Sequence, residues 1–474
     1  MQANIDATVI EEVFRKQKAA SMRLKQKTVQ ERLDSLRQLK EWIKSNREKI
    51  KEAVWDDLKK PPTETDLTEI YVVLSEISHA VKWLPKWAGV HKIKGYLPLV
   101  GSKSYIQMEP KGMALIISPW NYPFNLAIGP LVSAIAAGCT VVLKPSEMAP
   151  STSRLIGGMV SEVFREEEVT VIEGGPLVVQ TLLSKPFDHV FFTGSPAVGK
   201  SVMKAASEHL TSVTLELGGK SPVLIDKACK ISEVAERVVW GKFLNCGQTC
   251  VAPDYVLVHE TEADRFFEEM KVQVRKMFNP KDRGTANNED YGRIINPQHL
   301  ERLQDMFSEA LDKGAQIVVG GEVDKAGNYM APTVLREIRT DLKLMQEEIF
   351  GPLLPVLTYS DIDEAIAFIN SKPKPLAIYV FTEEDFFSDY VLTHTSSGTA
   401  VINDCAVQFG HPGLPFGGVG QSGMGKSHGY YGFLAFSNQK AVLHQKTGFT
   451  PVRNLYPPYG FKKRKIVSLF LRFK

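Results

Sequence analysis

Phe191-Phe-Thr-Gly194-Ser195-Pro-Ala-Val-Gly199 reads as the end of a strand, a tight turn and the start of a helix. Ser195 is suited to cap that helix and Pro196 to occupy its first turn. A helix that opens at a strand end presents free N–H groups and the positive end of its dipole, and both attract phosphate. The segment departs from GxGxxG because proline at 196 brings no N–H, so it predicts fewer pyrophosphate contacts than a standard dinucleotide fold makes. Taken alone, the Gly194 to Gly199 spacing suits ordinary helix capping as well as cofactor binding.

Around this stretch, short apolar runs alternate with helical ones. Ala114–Ile117, Thr140–Leu143, Val169–Ile172, His189–Phe192 and Val213–Leu215 are candidate strands. Such alternation predicts an α/β fold, a largely parallel sheet with helices on both faces. A second alternating region, with strands at Tyr255–Val258, Gln316–Val319, Pro355–Thr358 and Ala377–Phe381, predicts a second α/β domain. Residues 8 to 58 are rich in Glu, Lys, Arg, Leu and Gln, with Leu33, Leu36, Leu39 and Ile43 at helical spacing. Pro61-Pro62 is expected to end that helical region, and another helix is expected over 66 to 88.

At 474 residues, 43% hydrophobic and 23% charged, the chain is long enough for two or three packed domains. The five cysteines, 139, 229, 246, 250 and 405, are scattered, with no CxxC, which suggests neither a disulfide framework nor a thiolate metal site and suits a reducing cytoplasm. The ten histidines include no HExxH, so no metal is expected. Met1–Asp6 lacks the basic and apolar segments of a signal peptide, and no run approaches a membrane span. The formal charge of +3 is carried by the tail, because residues 461 to 474 hold six Lys and Arg and no acid. The remainder is net negative and gives no case for nucleic-acid binding.

Chemistry is suggested by two further segments. Leu215-Glu-Leu-Gly-Gly-Lys220 carries Glu216, and Gly247-Gln-Thr-Cys250 follows with its thiol 34 residues downstream. A thiolate attacks carbonyl carbon, and a nearby carboxylate can activate water to release what becomes attached. A buried cysteine is otherwise a small core residue, and Glu216 otherwise a strand-end carboxylate.

Seven ordered motifs complete the pattern: Ser118-Pro-Trp-Asn-Tyr-Pro123, Lys144-Pro-Ser-Glu147, Phe192–Ser195, the Glu216 and Cys250 segments, Glu347-Glu-Ile-Phe-Gly-Pro352 and Pro415-Phe-Gly-Gly418. In this order the chain resembles the aldehyde dehydrogenase superfamily from about residue 10 to about 445. Within it, Asn121–Leu126 and Gln248–Tyr255 are similar to the class 3 branch, which includes fatty aldehyde dehydrogenases.

The resemblance implies a Rossmann-type cofactor domain over 1–91 and 111–215, a catalytic domain over 216–434, and a small oligomerisation arm from 92–110 and 435–460 that makes a homodimer. Cys250 is then the nucleophile and Glu216 the base. Asn121 and the Cys250 backbone N–H form the oxyanion hole, although Asn121 also suits a structural turn. Lys144 and Glu147 fall on the adenosine ribose, where a carboxylate disfavours a 2′-phosphate, so NAD is preferred and NADP remains accessible. Without the resemblance both belong to a solvated loop. Gly194, Ser195 and Gly199 face the cofactor with Trp120 and Leu217. Glu348 is placed on the nicotinamide ribose, otherwise being a surface acid, and Phe350 packs beside the ring.

Tyr122, Phe416 and His428 are expected to line the substrate channel. Cys246 is expected to pack, with a reversible disulfide to Cys250 as the alternative. The function implied is oxidation of apolar aldehydes, medium- or long-chain aliphatic or aromatic, to carboxylic acids through a thiohemiacetal and thioester. The alternatives are a non-catalytic protein retaining the fold and a cofactor-independent esterase. In the tail, Ile466, Leu469, Phe470 and Phe473 share one helical face among basic residues, which suits either an anionic membrane surface or a protein surface.

Overall fold

Alternate residues of the strand Met113–Ile117 face opposite cores, Ala114 and Ile116 into one and Met113, Leu115 and Ile117 into the other. Such a strand is buried on both faces, as expected inside a parallel sheet covered by helices. It belongs to a computed structural model that describes residues 7–96, 99–448 and 450–472. Met1–Asp6, Phe473 and Lys474, together with the side chain of Phe470, lie outside the described residues.

Met113–Ile117 is central in a six-stranded sheet of order Gly423–Met424, Ser212–Leu217, His189–Gly194, Met113–Ile117, Thr140–Lys144, Val169–Val171. All its pairings are parallel except that of the edge strand Gly423–Met424. The second sheet runs Gln316–Val319, Thr333–Arg336, Leu353–Tyr359, Tyr255–His259, Pro222–Ile225, Ala377–Phe381, Thr399–Ile402, with only the first pair antiparallel. The chain passes from one sheet to the other across Gly218–Ser221, so Glu216 and Leu217 end a strand at the junction. A third, antiparallel sheet joins His91–Ile93 to Lys103–Pro110 and Lys103–Pro110 to Ser437–His444.

The amphipathic N-terminal region forms three helices, Ala7–Leu24, Val29–Ser45 and Arg47–Leu58. Thr28 and Glu31 form a capping box at the second. Leu33, Leu36, Leu39 and Ile43 are all buried in the core beside the first sheet. Each contributes about 1.5–3 kcal/mol of apolar burial. The third helix stops at left-handed Lys59, before the prolines. Pro62 then opens a new turn instead of closing a helix, because proline at the first helical position loses no hydrogen bond. The expected helix over 66 to 88 appears as a π turn, Asp66–Ile70, continuing into Tyr71–Trp87. Asn125–Ala137 is apolar almost all round and packs between these helices and the sheet.

The tail forms a helix, Phe461–Arg472, against the turn Pro451–Leu455, with Ile466, Val467, Leu469 and Leu471 exposed. Among the described residues no helix is long and apolar enough to cross a membrane.

Candidate active site

Cys250 lies between the two large sheets, at the meeting point of a cleft and a tunnel. The cleft encloses about 550 Å³, within the range of small-molecule sites. On one side it is walled by Thr193 to Ala197, where the helix Pro196–Ser207 opens, with Ser195 accepting from the Val198 N–H at 3.4 Å. Opposite are Glu216 to Lys220, Glu348 and Phe350. Trp120 closes one end, its ring edge-on to Phe350 at 5.4 Å and tilted against His299 at 5.1 Å.

The Glu348 loop is held by buried Lys220 and half-buried Arg302. Lys220 pairs with Asp254 and donates to the Leu344 and Glu347 carbonyls, each at 2.8 Å. Asp254 in turn accepts from the Ile349 N–H at 2.9 Å. Arg302 donates to the carbonyls of Glu348 at 3.3 Å and Ile349 at 2.5 Å. Gly218 leaves room for the Glu348 carboxylate, which a Cβ at that position would push aside.

A second buried network positions Asn121. Lys60, wholly inaccessible, donates to Glu69 at 2.6 Å and to the Asn121 carbonyl at 3.0 Å, and its ammonium lies 3.9 Å from the Tyr122 ring centre. The Asn245 amide donates to the same carbonyl at 2.8 Å. Asn121 Nδ2 donates to the Gln248 carbonyl at 2.9 Å, which uses one of its two amide hydrogens and leaves the other for a ligand. Asn245 and Cys246 are both left-handed, an uncommon conformation for these residue types that the surrounding bonds enforce ahead of the Cys250 turn.

Three acids converge on the cleft. Burial pushes the Cys250 thiol up to about 12, and the Glu348 and Glu216 carboxylates add to the rise. Burial likewise lifts Glu216 to about 8, opposed by the Ser427 hydroxyl and the Lys426 ammonium. Glu348 also rises to about 8, through burial first and then Asp254. Among the described residues neither Glu216 oxygen receives a well-formed hydrogen bond, because the Ser427 hydroxyl, near enough to act on the carboxyl, donates instead to the Phe416 carbonyl at 3.2 Å. A cationic ring beside Cys250 and Glu348 would favour the ionised forms that burial disfavours, and the helix opening at Ser195 offers free N–H groups to phosphate. The residues present therefore fit a nicotinamide dinucleotide.

The tunnel is apolar. It encloses about 270 Å³ and runs from Cys250 past Tyr122, Leu126, Trp240 and Phe409 to a rim that includes exposed Leu67, Tyr71 and Val407. The Tyr122 hydroxyl is bonded to Thr249 Oγ1 at 2.7 Å, which fixes this wall beside Cys250.

Of the residues anticipated from sequence, Cys250, Glu216, Asn121, Trp120, Gly194, Ser195, Leu217, Glu348 and Phe350 border the cleft together. Lys144 and Glu147 lie outside its lining, paired with each other at 2.5 Å. Gly199 also stands outside, where a Cβ would press to 2.7 Å on Leu217. Tyr122 borders the tunnel, whereas Phe416 and His428 border a separate small chamber on the Glu216 side of Cys250. Cys246 is buried by Tyr291 and Gly292 and borders none of these three cavities. Lys60, Glu69, Asn245 and Asp254 escaped the sequence reading, since a buried Lys or Glu has no local signature.

Residues 2–442 match the model of the aldehyde dehydrogenase family. The chain is 44% identical over 462 residues to 4,4'-diaponeurosporen-aldehyde dehydrogenase of Staphylococcus aureus, covering 98% of this chain and 99% of that one. It is 40% identical to aldehyde dehydrogenase family 3 member A2 of Mus musculus over 93% of this chain and 90% of that protein. The solved substrate-bound state of Staphylococcus aureus AldH superposes with a TM-score of 0.93 at 43% identity, covering 97% and 99% of the two chains. With the family model matched over residues 2–442 and the fold shared along nearly the whole length, this chain belongs to the aldehyde dehydrogenase family and is an oxidoreductase.

Proposed function

We propose that the enzyme oxidises apolar aldehydes to carboxylic acids with NAD as the preferred cofactor. The observation that carries this reading is the position of Cys250 where a dinucleotide-sized cleft meets an apolar tunnel, with the buried Glu216 alongside. The tunnel walls favour alkyl or aryl chains over charged or sugar-like aldehydes.

In this reading the Cys250 sulfur adds to the aldehyde carbon, forming a thiohemiacetal. The charge gathering on oxygen is met by the free Asn121 N–H and the Cys250 backbone N–H, and losing one such donor typically costs ~3 kcal/mol. Trp120, Gly194, Ser195, Leu217, Glu348 and Phe350 hold the dinucleotide in the cleft, with Lys144, Glu147 and Gly199 supporting its adenosine side. Aldehyde dehydrogenases use NAD(P), which when bound supplies the acceptor that makes the reaction an oxidation. Glu216 then takes a proton from water, whose oxygen displaces Cys250 from the acyl carbon. Glu147 favours NAD because its carboxylate repels a 2′-phosphate.

Formation of reduced cofactor, followed by absorbance across aldehydes of rising chain length with NAD and NADP in turn, tests the reading. The expected result is kcat/KM rising with chain length and greater with NAD, and no turnover by Cys250→Ala. A preference for small polar aldehydes would contradict it.

Two further assignments belong to this reading. The three-stranded sheet, whose exposed face carries Ile93 and Leu443, is the dimer contact. The basic tail helix meets anionic membrane surfaces in the cytoplasm, where each basic residue adds ~1 kcal/mol. Full-length protein that fails to sediment with anionic vesicles at low salt would remove the membrane assignment.

A further inference from the structure

Cys250 borders a third cavity besides the cleft and the tunnel. It is a chamber of about 40 Å³ whose wall is largely apolar, with Gly129 and Phe416 in it, and whose polar groups near Cys250 are Thr193, Glu216, Ser427 and His428. Glu216 borders the cleft and this chamber but not the tunnel. Its side chain is deeply buried and neither oxygen receives a well-formed hydrogen bond among the described residues. A water needs roughly 10–15 Å³ of such space and two to four polar partners, so the chamber has room for two or three. Around it stand the Glu216 carboxylate, the Thr193 and Ser427 hydroxyls and the His428 ring.

The reaction poses a supply problem that this chamber solves. Water must reach the acylated Cys250 while a dinucleotide fills the cleft and an apolar acyl chain fills the tunnel. We propose that the chamber is the water site of the deacylation half-reaction, with Ser427 and His428 orienting the water that Glu216 deprotonates. The inference rests on the dehydrogenase reading above.

The Ser427 hydroxyl donates to the Phe416 carbonyl at 3.2 Å, which leaves its lone pairs to accept from water. The His428 ring is fixed between Phe409, edge-on at 4.8 Å, and Phe416, stacked at 5.1 Å. Burial keeps that imidazole neutral, so it orients water without adding a charge beside Glu216. In the step itself the water oxygen bonds to the acyl carbon and one water proton passes to Glu216. The carbon–sulfur bond breaks with its electron pair on Cys250. Once Cys250 is reprotonated, the sum is thioester plus water giving carboxylate, thiol and one proton, which leaves Glu216 by way of the chamber.

Gly129→Ala tests the assignment without touching the reacting groups. Gly129 lies in the helix Asn125–Ala137, and a Cβ there meets nothing nearer than Asn125 Oδ1 at 3.7 Å. Alanine also favours the helix, so folding is preserved. The added methyl takes space from the chamber. The expected result is an unchanged first-turnover rate of reduced-cofactor formation, with deacylation slowed about tenfold. Acid-quenched protein should then show acyl-enzyme accumulating by intact mass.

His428→Phe should give the same split, and His428→Gln, which keeps a polar tip, should recover part of the loss. Unchanged deacylation in both Gly129→Ala and His428→Phe, or an equal fall of both half-reactions, overturns the chamber assignment. If the unsubstituted enzyme itself forms neither reduced cofactor nor acyl-enzyme, the dehydrogenase reading falls instead.

Discussion

Replacing Glu216 with Gln should shift stability in the variant's favour progressively as pH rises. The carboxyl receives no well-formed hydrogen bond among the described residues, and burial raises it from 4.5 to about 8. A carboxyl whose folded value exceeds its unfolded value withdraws stability as pH climbs from the unfolded value to the folded one. Each unit of that interval is worth ~1.4 kcal/mol, so the penalty is under ~1 kcal/mol at pH 5 and about 4–5 kcal/mol at pH 8.5. Gln has nearly the same shape and does not ionise, so it escapes the pH-dependent part. Its own unsatisfied amide costs ~1–3 kcal/mol at every pH and cancels when two pH values are compared.

For a chain of this length the unfolding entropy is about 1 kcal/mol/K, so ~4 kcal/mol corresponds to ~4 °C in Tm. Calorimetric Tm values of the two proteins at pH 5 and pH 8.5 should therefore diverge by about that amount, with the variant gaining at the higher pH. A Tm difference that does not change with pH would refute the claim that the fold holds Glu216 toward its neutral form.

The same carboxyl must be ionised to take a proton from water, so deacylation measured in a single turnover should rise with pH, reach half its maximum near 8 and level off about a unit above that. Glu216→Gln should be slow and lack that limb. Lys60→Met should cost ~3–5 kcal/mol of stability by leaving Glu69 buried without its cation. It should also lower kcat more than it raises KM, because Asn121 loses the bond to its carbonyl; a change confined to KM would contradict the positioning role. Glu147→Gln should raise NADP use relative to NAD by roughly fivefold, ~1 kcal/mol of relieved repulsion. An unchanged ratio of kcat/KM values would place Glu147 away from the 2′ position.

The nine strands expected from apolar runs all form, because alternation of short buried runs with helices is a local pattern. Pro222–Ile225 was overlooked because it is four residues long and opens on proline. Lys103–Pro110 and Ser437–His444 carry no long apolar run, the first being mostly half-buried and the second mostly exposed, and they pair across more than three hundred residues. The segments that border the cleft were legible because a thiol, a strand-end carboxylate and a glycine turn each depend on a residue type.

Their support was not legible. Lys60 reaches Asn121 across 61 positions and Lys220 reaches Glu347 across 127, and only folding brings them together. Nor could the sequence separate Tyr122 from Phe416 and His428. All three read as channel wall, yet the fold assigns the first to the tunnel and the other two to the chamber beside Glu216.

The central claim is that Cys250 carries the acyl group between oxidation and hydrolysis. Acid quench of Glu216→Gln during its first turnover with NAD and a medium-chain aldehyde, followed by peptide mass analysis, tests it most directly. The account predicts a burst of NADH and a matching adduct on the Cys250 peptide, with the mass of the aldehyde less two hydrogens. NADH formed without that adduct, or with the adduct on another residue, would contradict it.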